Sequence, residues 1–131
     1  MKLEREFGQV PEIVVDKHKV LQIVVNLLRN AKDACQEYTD RAKLVRICIE
    51  KCALGVRIAV ADNGAGISAE HMSRIFTHGF TTKKSGHGFG LHSGSLAAKE
   101  MGGTLRAESA GAGCGASFVL ELPLKPPERS R

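Results

Sequence analysis

Between residues 16 and 38 the apolar side chains are Val20, Leu21, Ile23, Val24, Val25, Leu27, Leu28, Ala31, Ala34 and Cys35. At roughly 100° per residue they gather on one wide face, which predicts a long amphipathic helix. Asn26, Arg29, Asn30, Asp33 and Glu37 form a narrow polar stripe on the other side. The period then drops to two. Residues 45–52 and 56–61 alternate and predict a strand hairpin turning at Gly55. Ser68 is placed to open a short helix. Residues 76–90 follow no period, and long segments of that kind are commonly functional lids. A helical stretch over 91–101 stops at Gly102-Gly103. Two more strands, 104–108 and 116–122, end at Pro123, and a short extended stretch near 4–15 precedes the long helix. Strands and helices in this mixed order predict an α/β fold, a two-layer sandwich.

The chain has 131 residues, enough for one modest core. We expect one domain over 1–123 and a loose tail over 124–131, whose Lys125, Arg129 and Arg131 add to the +5 charge. A basic balance can mean nucleic acid, but there is one Tyr and no aromatic-basic platform, so no nucleic-acid partner is expected. No run reaches membrane-spanning length, and no secretory signal is present. Cys35, Cys48, Cys52 and Cys114 lack a C-x-x-C pair, and Cys48 and Cys52 read as buried thiols sharing a strand face. A reducing cytoplasm fits them, and direct membrane contact by this domain is not expected.

Chemistry concentrates in three places. Asn26 and Asn30 lie one turn apart although Asn is a poor helix former. Their side-chain oxygens suit a hard cation such as Mg²⁺. The turn Asp62-Asn63-Gly64-Ala65-Gly66-Ile67 follows the second strand of the hairpin. Its glycines let the backbone come close to a ligand, and an ionised Asp62 accepts hydrogen bonds, as from an adenine amine. Alone, Asp-Asn-Gly is also an ordinary turn. Gly64-x-Gly66-x-x-Ala69 fits the dinucleotide glycine pattern, but the acid that pattern needs further on is missing around Thr81-Thr82-Lys83-Lys84. The third place is Gly86-His87-Gly88-Phe89-Gly90-Leu91, opening a helix and preceded by two hydroxyls and two lysines. Free N–H groups and the helix dipole favour polyphosphate there, without the common P-loop pattern. His92 closes that turn, facing phosphate or capping the helix.

In this order the motifs resemble the ATP-binding domain of bacterial sensor histidine kinases, within a superfamily shared with DNA gyrase, mismatch-repair ATPases and a chaperone ATPase family. The resemblance covers about residues 10–123. Residues 26–34 resemble the N box, 62–67 the G1 box, 75–83 the F box and 86–92 the G2 box. Gly102 to Leu105, Gly113, Gly115, Ser117, Phe118 and Leu122-Pro123 resemble the closing strands. The resemblance implies a Bergerat-type fold, a mixed sheet covered on one face by about three helices. It implies ATP and Mg²⁺ as cofactors, Asn30 as metal ligand, and Asn26 and Asn30 as catalytic positions. Asp62 would bind the adenine amine, with Gly64, Gly66 and Ile67 lining the base pocket. Gly86, Gly88 and Gly90 would hold phosphates at the lid hinge. Thr81, Thr82, Lys83, His87, Phe89, Leu91 and His92 would line the lid side, with Asp33 and Ser117 completing the nucleotide site. Phe76 and Phe80 would pack the lid base, or serve simply as core aromatics.

Two positions separate subclasses. Hydrolysing relatives carry a Glu base four residues before the metal Asn. Here that residue is Asn26, which cannot take a proton from water, and a kinase is expected. Many kinases carry a basic residue three after the metal Asn. Here it is Asp33, so Arg29, Lys83 or Lys84 becomes the candidate positive charge. His18, His71, His78, His87 and His92 lack the context of a phospho-acceptor, which is therefore expected on a separate dimerisation domain. The expected partners are that domain and a response regulator, in a homodimeric parent that is cytoplasmic or membrane-anchored. Rival readings are an anti-sigma-type serine kinase and a degenerate ATP-binding module.

Overall fold

A computed structural model describes residues 2–9, 13, 15–37, 42–77, 89–111 and 113–124. Five strands form one mixed sheet in the order β1-β2-β3-β5-β4. They are β1 (Lys2–Phe7), β2 (Leu44–Lys51), β3 (Gly55–Asp62), β4 (Thr104–Glu108) and β5 (Ala116–Pro123). β1 runs parallel to β2, and the other pairings are antiparallel. Among the described residues three helices, α1 (Lys17–Glu37), α2 (Ala69–Met72) and α3 (Phe89–Glu100), accompany it.

Helix ends follow their caps. The Asp16 carboxylate accepts from the Lys19 N–H at 3.2 Å and starts α1. The Ser68 hydroxyl accepts from His71 N–H at 3.2 Å and starts α2. α3 stops where Gly103 N–H returns to the Ala98 carbonyl at 2.8 Å and Gly102 N–H to Lys99 at 3.0 Å, the paired bonds of a Schellman end.

Alternation along the strands puts Val45, Val60, Phe118, Leu120 and Leu122 on the helix side, against Ile23, Leu27, Ala31 and Cys35 of α1. The opposite face carries charge instead of helices. Glu121 bridges Arg57 at 2.8 Å and Arg106 on β4, and Arg57 also reaches Glu50 at 3.1 Å. The aliphatic stems of such arginines shield a sheet face from water, and Val119 there is buried.

Three expectations need correction. The first strand is Lys2–Phe7, and it leaves the ladder after Gly8, whose N–H reaches the Ile49 carbonyl at 2.8 Å. The apolar face of α1 is narrower than predicted, with Leu21 and Val25 60% and 47% exposed. α1 lies over β2 and β3 and packs against α3 on one flank. Among the described residues no element covers the other flank, where Leu3 and Phe7 of β1 are also exposed. Cys48 and Cys52 are only half-buried, and the buried thiol is Cys35. Cys52 falls beyond the end of β2.

Candidate functional site

The turn after β3 is built onto α1. Asn63 works as a bracket. Its side-chain oxygen accepts from Leu44 N–H at 2.9 Å and its amide donates to the Ala42 carbonyl at 2.7 Å. The Cys35 thiol reaches the same oxygen at 3.7 Å. Ala65 N–H then donates to the Ala34 carbonyl at 3.0 Å. Gly64 lies so near α1 that a Cβ there would overlap the backbone of Ala34.

Asp62 ends β3, half-buried and paired across the sheet with Ala116. Its carboxylate accepts from Gly64 N–H at 2.9 Å. Burial pushes its pKa above the ordinary aspartate value, while N–H donors from Gly64 and Ala116 pull the other way. The side chain is a half-buried acceptor with one backbone hydrogen bond and spare lone pairs. That suits a ligand N–H.

The β4–β5 loop forms the back wall of the turn. Gly66, at φ 71°, has no room for a Cβ against the Gly111 carbonyl. Gly113 N–H donates to Ala65 at 2.6 Å and Gly115 N–H to Gly64 at 3.2 Å. Ile67 N–H donates to the Ser109 hydroxyl at 3.0 Å. Sequence reasoning missed Ser109 and the bracketing role of Asn63. The signal available for Ser109 was its place before Gly111, Gly113 and Gly115.

α1 and α3 run antiparallel. Lys19 pairs with Glu100 at 3.0 Å, and Asn26 shares a cavity of about 250 Å³ with Ser93 and Gly94. The same register sets Asn30 level with the first turn of α3. Asn26, Asn30 and Asp33 are all half-buried, and Arg29 is exposed. The α3 N-terminus, a site for anions by its dipole and free N–H groups, therefore lies level with Asn30. Among the described residues no group of three His, Cys, Asp or Glu could hold a metal. One Asn oxygen with ligand phosphates and waters fits Mg²⁺, which takes few protein ligands.

The helix of the second glycine turn begins at Phe89, two residues earlier than predicted, and includes Gly90. Leu91 packs against the core. His92 directs Nδ1 to the Phe76 carbonyl at 3.0 Å, and Phe76 is half-buried against the core. Ser117 lies across from Ala61. Together with Asp62 and Ser109 it lines one open cavity of about 410 Å³. Phe80, Thr81, Thr82, Lys83, Lys84, Gly86, His87 and Gly88 lie outside the described residues.

Residues 15–126 match the model of the family described as histidine kinase-, DNA gyrase B-, and HSP90-like ATPase. The chain belongs to that family. Within this ATPase family its relatives are sensor kinases. It is 35% identical to sensor histidine kinase ZraS of Escherichia coli (strain K12) over 115 residues, 88% of this chain and 24% of that protein. It is 35% identical to a probable C4-dicarboxylate sensor kinase of Bacillus subtilis (strain 168) over 118 residues, 89% of this chain and 22% of that protein. The chain thus spans about a quarter of the curated relatives it matches. Among solved structures, the catalytic domain of histidine kinase ThkA superposes with TM-score 0.76 at 28% identity, covering 95% of this chain and 80% of that one. Full-length ShkA in complex with AMPPNP superposes with TM-score 0.77 at 27% identity, covering 97% of this chain and 27% of that one. The fold is that of the ATP-binding catalytic domain of sensor histidine kinases, and membership in an ATPase family makes ATP its nucleotide.

Proposed function

We propose that this chain binds Mg²⁺–ATP and gives the γ-phosphate to a histidine on a separate dimerisation domain of the same parent protein. The observation that carries this is the joining of Asp62 and Asn30 through one helix. Asp62 begins a turn that hangs on Ala34, one helical turn beyond Asn30. The Asp62 carboxylate accepts the adenine amine, and Gly64, Gly66 and Ile67 let the base approach backbone. Asn30 offers its side-chain oxygen to Mg²⁺, which screens the phosphate charge when bound. The N-terminal turn of α3 and the glycines before it take the phosphate oxygens. Lys83 and Lys84 are the candidate cations on the lid, and Arg29 on α1.

Asn26 stands four residues before Asn30, and an amide is no base toward water at neutral pH. Transfer to an acceptor is thereby favoured over hydrolysis, and positioning supplies most of the catalysis. The phosphohistidine would pass its group to a response regulator. The parent is read as a homodimer with this domain in the cytoplasm. Among the described residues no helix is long and apolar enough to cross a membrane.

The test is acid-labile ³²P incorporation. Alone, the chain should neither label itself nor release phosphate quickly. With the dimerisation domain added in trans, label should appear on its histidine, and Asn30→Ala should abolish it. Rapid phosphate release by the chain alone would place it with the hydrolysing branch. Label on a serine of an added partner would favour the serine-kinase alternative.

A further inference from the structure

We propose that Ser109 is a positioning residue for the base end of the nucleotide site, setting how sharply adenine is told from a purine lacking the amine. The inference rests on the ATP-site reading and deepens it. Ser109 follows the last residue of β4, and its hydroxyl is a junction between two loops distant in sequence. Its proton goes to the Gly115 carbonyl at 2.7 Å, with the Gly111 carbonyl a longer second acceptor at 3.3 Å. The hydroxyl oxygen accepts from Ile67 N–H at 3.0 Å and from Gly111 N–H at 3.2 Å. A hydroxyl has one proton and two lone pairs, so the shared proton and two accepted bonds use its full capacity.

What the junction controls follows from its neighbours. Gly115 precedes Ala116, the residue paired with Asp62 across the sheet. The Asp62 carboxylate accepts from Gly64 N–H, and the Gly64 carbonyl in turn accepts from Gly115 N–H. Gly115 also passes close under Asp62, where a Cβ would overlap the Asp62 carbonyl. Ser109 therefore pins the strand end that aims Asp62 and, through Ile67, the far end of the turn that would line the base. A carboxylate that recognises one N–H must be aimed to within a few tenths of an ångström. Untying the loop costs aim before it costs fold, because the turn keeps separate anchors on α1 through Ala65 and on the start of β2 through Asn63.

The experiment is calorimetry of the full chain with ADP and with inosine diphosphate, which lacks the exocyclic amine, both with Mg²⁺. The unsubstituted chain should prefer ADP. Ser109→Ala should lose about tenfold in ADP affinity, the scale of one or two hydrogen bonds, and less than about twofold for inosine diphosphate. Ser109→Thr, which keeps the hydroxyl, should restore the preference. A general loosening of the fold would weaken both ligands together. An unchanged ratio of the two affinities in Ser109→Ala, at whatever absolute level, overturns the inference. Where Ser109→Ala fails to fold, Ser109→Cys, with its weaker acceptor, is read by the same ratio. No ADP binding by the unsubstituted chain would instead overturn the ATP-site reading, and this inference with it.

Discussion

His92 Nδ1 lies 3.0 Å from the Phe76 carbonyl oxygen. A carbonyl only accepts, so Nδ1 carries the proton. The bond joins the residues on either side of the predicted lid, one at its entry and one just inside α3. His92→Ala should leave the fold intact at a cost of about 1 kcal/mol. It should quicken amide exchange at Phe76 and Thr77, where local opening starts from the weakest bonds. Hydrogen exchange resolves this, and equal rates in both proteins would deny the tie any role.

Asp62→Asn should weaken ADP binding at least tenfold, because the amide can present a donor to the adenine amine. Its melting temperature should match or exceed that of the unsubstituted chain. Burial raises the Asp62 pKa, so the folded state binds more protons than the unfolded chain just above the ordinary value of 3.8. The contribution of this group to stability therefore falls as pH rises through that window. An Asn keeps an acceptor for the Gly64 N–H without that cost. Calorimetry beside a melting curve tests both halves, and retained affinity would reduce Asp62 to a turn residue.

Glu121→Gln should remove the centre of the charged ladder on the open sheet face. Hydrogen bonding from Arg57, with a further contribution from Arg106, holds the Glu121 carboxyl below its ordinary 4.5. Its stabilisation is then present above that value and lost as pH falls through the depressed one. Solvent screening limits the loss to about 1 kcal/mol or less. Urea unfolding at neutral pH and again in acid should show the difference between the two proteins shrinking as acid is added.

Gly64→Ala should be the severe backbone substitution. A Cβ has no space beside the Ala34 backbone, so turn and helix must separate, at about 2–4 kcal/mol. Denaturant unfolding measures it, and a cost below about 0.5 kcal/mol would show that the two segments part easily.

Much of this was legible in the sequence. The long period-3.6 run from Val20 to Cys35, the alternation in β2, β3 and β5, and the Gly102-Gly103 stop all became the elements they predicted. Local periodicity and capping carry that kind of information. The turn around Asp62 was legible through its glycines, whose spacing reports close backbone approach. Leu21 and Val25 were misread because periodicity states which side chains are apolar, not which flank another element covers. Ser109 was missed for a related reason. Its partners are Ile67 and Gly115, and a junction of two loops leaves no period behind.

The docking of the Asp62 turn onto Ala34 makes α1 a caliper. Asn30 and Ala34 are four residues apart on one rigid helix, about 6 Å of rise. One jaw bears the proposed metal ligand and the other the turn proposed to bind the base. Their separation is a property of helical geometry, so bending of the sheet leaves it unchanged. A nucleotide bound as proposed would be gauged by a single helix for the span between base and phosphates.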